Sequence, residues 1–210
     1  MINSLGLIHT AAVHVATFDQ LIAEIQPNCA VEHVVVPALL EQARHEGLSA
    51  AVAQQLTAII ADLQAKGMQQ MLCTCSTLGG LAETLNPKVV RVDRAMAEQA
   101  IGFGSRIAVV AALESTLEPT KQLLHSIAQA KPIQIDTYLC GAAWQAFLAN
   151  DQASYLQQIA TQLEQIQAAD VIVLAQASMA NAIQLCQQRI PILSSPRSAI
   201  ASLFAPNDRT

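Results

Sequence analysis

The chain has 210 residues, 52% of them hydrophobic and 13% charged, with a net charge of −5. That is enough apolar material for one large domain or two joined small lobes, and it excludes a disordered chain. No stretch concentrates Lys and Arg, and aromatics make up only 3%, so nucleic acid is not an expected partner: the basic footprint and the stacking platforms are both missing.

In chain order, short apolar runs bounded by turn residues alternate with longer helical stretches. The predicted strands are Leu5–His9, Val31–Val36, Gln70–Cys75, Val89–Val92, Ile107–Ala111, Ile133–Leu139, Val171–Ala175 and Ile190–Leu193. Between them lie predicted helices Phe18–Ile25, Leu48–Lys66, Ala95–Gly102, Leu117–Ala130, Gln152–Ala168 and Asn181–Gln187. In Leu48–Lys66, Val52, Leu56, Ile59, Ile60 and Leu63 recur at spacings of three and four, which makes one apolar face. Strands alternating with helices predict an α/β fold of parallel sheets flanked by helices. Mean hydropathy is +0.35, yet no apolar run approaches the roughly 20 residues of a spanning helix, so no membrane association is expected. The first residues place Asn3 and His9 among apolar neighbours and carry no basic leader, so they do not read as a signal peptide. The five cysteines are then expected to remain reduced thiols in the cytoplasm.

The strands recur at a nearly constant offset. Cys75 and Gln176 are 101 positions apart, and the same shift lays QMLCTCSTLGG (70–80) over VIVLAQASMAN (171–181). It also carries Leu7–Thr10 onto Ala108–Ala111 and Val31–Val36 onto Pro132–Thr137. Four strands in register predict a duplicated lobe: two pseudo-symmetric lobes, residues 1–94 plus about 195–210 and residues 95–194, with an active-site cleft between them. Ligands of open α/β sheets bind beyond the strand C-termini, where helix N-termini present free N–H groups.

Cys75 ends a predicted strand and opens a helix, a position that favours the thiolate and lowers its pKa. Ser76 and Thr77 add hydroxyls and N–H groups for an anion, and Gly79 and Gly80 permit close backbone approach. Position alone equally supports a small buried hydrophobe. LCTCSTLGG (72–80) resembles the first active-site segment of the aspartate/glutamate racemase superfamily, where a cysteine is followed by Asn or Ser and then Thr. VLAQASMA (173–180) resembles its second segment, roughly LGCAGMA in hydantoin racemases, and LGLIHT (5–10), residues 91–120 and IPILSSP (190–196) agree as well.

The resemblance implies a two-lobed enzyme that needs no cofactor, a small carboxylate substrate (an amino acid, hydantoin or dicarboxylate), and a homodimer. In the two-cysteine racemases of the superfamily, one thiol on each face of the α-carbon exchanges a proton; here the second position is Gln176, an amide that is neither acid nor base near neutral pH. Three readings follow. Cys75 works with another group, for which Cys140, His9 and Ser178 stand at or beside strand ends. Alternatively, Cys75 acts alone, in decarboxylation or in cis–trans isomerisation of a diacid, with Gln176 as hydrogen-bond donor. In the third reading the chain binds a small anion without turnover.

The resemblance also places Thr10, Ser115, Thr116, Ala177 and Ser178 at substrate-binding positions, beside Ser76 and Thr77. Several of these have structural alternatives: Ser115 with Glu118 reads as a capping box and Ser178 as a helix cap, and Asp93 reads as a cap before a helix. Arg197 is either a carboxylate ligand or an exposed residue in a first helical turn. His9 reads as a satisfied core histidine, and His14, His33, His45 and His125 show no spacing that singles them out. Cys73 and Cys75 form C-x-C, but no second pair completes a metal site, and no cofactor fingerprint is present.

Overall fold

The computed structural model describes residues 2–205. The chain divides into two compact units: one runs to Val92 and resumes from Pro196, the other is Asp93–Ser195. Residues 206–210, placed in the first lobe by sequence, lie outside the described residues.

The first unit contains β1 (Ser4–His9), α1 (Val13–Ile25), β2 (Ala30–Val35), α2 (Pro37–Glu46), α3 (Ala50–Ala65), β3 (Gln70–Cys73), α4 (Ser76–Leu85) and β4 (Val89–Arg91). The second contains α5 (Arg94–Phe103), β5 (Arg106–Ala111), a 3₁₀ turn (Glu114–Thr116), α6 (Leu117–Ala128), β6 (Gln134–Leu139), α7 (Gly141–Leu148), α8 (Gln152–Gln165), β7 (Val171–Leu174), a 3₁₀ segment (Ala177–Leu185) and β8 (Ile192–Leu193). Helix α9 (Ser195–Phe204) returns the chain to the first unit.

Each unit holds one four-stranded sheet with every pairing parallel, ordered β2-β1-β3-β4 in the first and β6-β5-β7-β8 in the second. The same topology occurs twice, but the repeat is less regular than a constant offset. Leu5 faces Gln70 as Ile107 faces Val171, one residue beyond the offset that relates β3 to β7. Ala30 faces Ser4 as Gln134 faces Arg106, three residues beyond it. The connections therefore differ in length while the pairing is preserved.

The central strands are buried on both faces, as helix-covered parallel strands must be. Val171–Leu174 is wholly buried, whereas the edge strands β2 and β6 are half-exposed. In the second unit Ile107, Val109 and Ala111, at every second position of β5, pack with Met96, Ala97 and Ala100 of α5 and Leu123 and Leu124 of α6. Each large side chain so buried contributes about 1.5–3 kcal/mol. Helix α3 buries Val52, Leu56, Ile60 and Leu63, and Ser49 caps it by accepting the Val52 N–H at 3.3 Å. Ile59, the fifth residue of the predicted face, is only partly buried.

Several elements differ from the sequence expectation. Helix α2 went unpredicted although Pro37 stands at its first position, where a missing N–H costs nothing. Helix α7 was missed as well. In place of the predicted helix Asn181–Gln187 stands a 3₁₀ segment that begins earlier, at Ala177, and ends at Leu185. Helix α8 stops at Gln165 because Gln188 donates from Nε2 to the carbonyls of Leu163 (2.6 Å) and Ile166 (2.8 Å), satisfying acceptors at the helix end.

Helix α4 lies close against β4. A Cβ on Gly79 would come within 2.8 Å of Arg91 Cβ, whereas one on Gly102 in α5 would meet nothing within 4 Å. Gly79→Ala should therefore lower stability by about 1–3 kcal/mol. Gly102→Ala should raise it by about 0.5–1 kcal/mol through helix propensity. Urea denaturation of the two variants measures both, and shifts of the same sign would contradict this packing.

Candidate active site

In the first unit β3 ends at Cys73, and two residues later Cys75 holds the extended N-cap position of α4 (φ −101°, ψ 112°). Because β1 and β3 are neighbours, Thr10 just past β1 lies beside the thiol, where its hydroxyl, the Thr77 hydroxyl and the N–H groups of Thr77 and Leu78 favour the charged form of Cys75. The Leu78 N–H also donates to the Cys75 carbonyl at 3.2 Å. Thr10, Cys75, Ser76 and Thr77 are all buried. The Cys73 thiol donates to the Cys75 carbonyl at 3.7 Å.

The expectation of a lowered thiol pKa is overturned. Burial pushes the Cys75 thiol above its usual range, outweighing the opposing bonds from Thr10, Leu78 and Thr77. Desolvation penalises the charged form more than the helix start favours it. Cys75 rests as a protonated thiol, surrounded by donors that would receive a thiolate.

In the second unit Gln176 holds the matching place, the extended N-cap position (φ −126°, ψ 138°) of the 3₁₀ segment after β7. Its Oε1 accepts the N–H groups of Ala112 (2.7 Å) and Leu113 (2.9 Å), just past β5. Ala177 is buried beside it. Ser178 does not cap a helix through Ala182: its Oγ shares a 2.6 Å hydrogen bond with the buried Tyr155 hydroxyl. The Thr116 hydroxyl donates to the Leu113 carbonyl at 2.7 Å.

Ser115 is not an N-cap: it lies inside a 3₁₀ turn that begins at Glu114, and Thr116 is the residue preceding α6. Asp93 stands at the N-cap of α5, yet its side chain makes no capping bond. Cys140 is the N-cap of α7, and burial pushes its thiol up to about 11. Arg197 is exposed and paired with Glu24.

The histidines hold an arrangement that sequence spacing did not reveal. His9 is fully buried, with Nδ1 2.8 Å from Thr74 Oγ1 and Nε2 2.8 Å from His33 Nδ1. His33 Nε2 lies 2.8 Å from the Asp19 carboxylate. The Thr74 hydroxyl also donates to the Ile8 carbonyl at 3.2 Å, and the donor and acceptor roles along the chain follow the tautomers of the two rings. His14 and Phe18 of α1 pack on His9, with ring centroids at 6.2 and 5.7 Å. His9 is thus a satisfied core histidine, as its apolar strand suggested. Among the described residues no three His, Cys, Asp or Glu side chains are grouped as a metal ion requires. None of the described helices is long and apolar enough to cross a membrane.

Burial lowers the pKa of His9 to about 3, with help from His14 and His33, and that of His14 to about 4. Both rings are neutral when folded but take up protons near pH 6.5 when unfolded, so stability is complete above that pH and is lost as pH falls toward 4. Together they should add a slope on the order of 2 kcal/mol per pH unit near pH 5. Urea midpoints between pH 4.5 and 7.5 measure it, and His14→Phe should remove about half; an unchanged slope in that variant would refute the assignment.

No family model matches the sequence, and no curated protein matches it. Solved structures do. The aspartate racemase of Picrophilus torridus superposes with a TM-score of 0.69 at 12% identity, over 96% of this chain and 92% of that one. Allantoin racemase from Pseudomonas fluorescens gives 0.67 at 18% identity, over 95% and 88%. Glutamate racemase from Francisella tularensis, solved in complex with D-glutamate, gives 0.67 at 12% identity, over 96% and 80%. Two four-stranded parallel sheets, each with the same strand order and helical flanks, give this chain the fold of the aspartate, glutamate and allantoin racemases.

Proposed function

We propose that the chain is a member of the aspartate/glutamate racemase superfamily, in a subgroup with Gln176 at the second thiol position. It acts as a cofactor-independent racemase or isomerase of a small carboxylate, with Cys75 transferring a proton at the α-carbon. The observation that carries this reading is the setting of Cys75: a buried, protonated thiol at a strand end, faced by the Thr10 and Thr77 hydroxyls and the Thr77 and Leu78 N–H groups. Such a thiol can deliver its proton to a carbanion or enolate, and the four donors then stabilise the thiolate left behind. Thr10, Ser76 and Thr77 are the proposed carboxylate contacts on this unit; Thr116, Ala177 and Ser178 are those proposed on the other.

The state of Gln176 favours a second reading, chemistry that needs a single thiol. An amide whose oxygen is already bonded to two N–H groups cannot remove or return a proton. Cys75 would then protonate the enolate left when a 2-substituted malonate loses carbon dioxide. In a cis-unsaturated diacid the thiol would add across the double bond, its sulfur bonding one carbon and its proton going to the other. After rotation about the resulting single bond the C–S bond would break as a proton returns to sulfur.

Proton NMR in heavy water decides between these readings. Aspartate, glutamate and 5-substituted hydantoins should exchange the α-hydrogen for deuterium if racemisation is the activity; malonates or cis-diacids should convert instead if one thiol suffices. Cys75→Ala should reduce either reaction by roughly 10²–10⁴-fold while the fold persists. Full activity in that variant would remove Cys75 from the mechanism. Ligands that raise the melting temperature but never change chemically would favour the non-catalytic anion binder.

A further inference from the structure

The Ala112 and Leu113 N–H groups converge on one point beyond β5, and that point holds the Gln176 side-chain oxygen, at 2.7 and 2.9 Å. Both neighbours are donors, so the atom between them is the amide oxygen and not its nitrogen. The turn is held from the other side as well. The Leu113 carbonyl accepts from the Thr116 N–H (3.1 Å) and hydroxyl (2.7 Å), which fixes the peptide whose neighbouring N–H meets Gln176.

Two adjacent backbone N–H groups aimed at one acceptor have the geometry of an anion hole. Here the chain's own neutral carbonyl fills it. The residue is only 8% exposed, yet its Nε2 makes no hydrogen bond among the described residues.

We propose that Gln176 is a specificity-determining plug: its amide oxygen closes an oxyanion hole formed by the Ala112 and Leu113 N–H groups, and its NH₂ replaces that hole as the group offered to a ligand. A carboxylate therefore finds no charge-matched pair of N–H groups at this strand end. An uncharged acceptor such as a carbonyl oxygen meets two amide hydrogens instead, with a smaller desolvation cost than a carboxylate would carry. The plug belongs wholly to the second unit and does not depend on Cys75 being reactive.

Amide-resolved NMR tests it with formate as the probe. In the native chain the Ala112 and Leu113 amides should exchange slowly with solvent and ignore formate. Gln176→Ala should accelerate their exchange by at least about 10-fold while leaving the Val110 amide unchanged. It should also produce saturable formate-induced shifts at these two amides, with a Kd of roughly 10 mM. Gln176→Glu refills the hole with its own carboxylate, so both amides should stay protected and silent to formate. If Gln176→Ala does not fold, Gln176→Met keeps the volume, removes the oxygen and should deprotect the same pair. Unchanged protection in the folded variant, or formate shifts already present in the native chain, would overturn the proposal.

Discussion

A parallel strand buried on both faces has no place for polar side chains along its length, so polar function is driven to its C-terminal end. There the ladder stops and backbone N–H groups need new acceptors. Each unit of this chain satisfies that constraint in its own way. Beyond β1 and β3 the donors gather on a thiol; beyond β5 and β7 they are taken up by an amide oxygen. The strand order that brings the two ends together is the same in both units. The difference in chemistry comes from which residue stands at the N-cap, Cys75 or Gln176.

At Cys75 two effects oppose each other, and burial wins. A helix start and four hydrogen bonds pull the thiol toward ionisation, but a sulfur with almost no contact with water loses more by carrying charge than those bonds return. The resting group is therefore an acid. Its donors become fully effective only when a proton leaves.

The buried histidine chain shows how far adjacency can exceed sequence spacing. His9 and His33 sit on neighbouring parallel strands, and Asp19 and His14 come from the helix packed over them. Nothing in the intervals between positions 9, 14, 19 and 33 indicates a cluster. Only the pairing of β1 with β2 brings His9 and His33 together. Tyr155 and Ser178 meet in the same way, and Ser115 stands inside a 3₁₀ turn instead of at the start of α6.

Hydrophobic periodicity and turn residues were enough to read the alternation of strands and helices, the duplication, and the placing of Cys75 and Gln176 at equivalent strand ends. These follow from local rules, since burial pattern and backbone preference act over a few residues. The same rules blurred short elements such as α2 and α7, whose apolar faces are brief. What a buried group does was decided only by tertiary structure. Desolvation of Cys75, the neutral state of His9 and His14, and the capture of the Gln176 oxygen by Ala112 and Leu113 all depend on atoms distant in sequence. Solvation and hydrogen bonding are set by what surrounds an atom in space, and one-dimensional order does not carry that information.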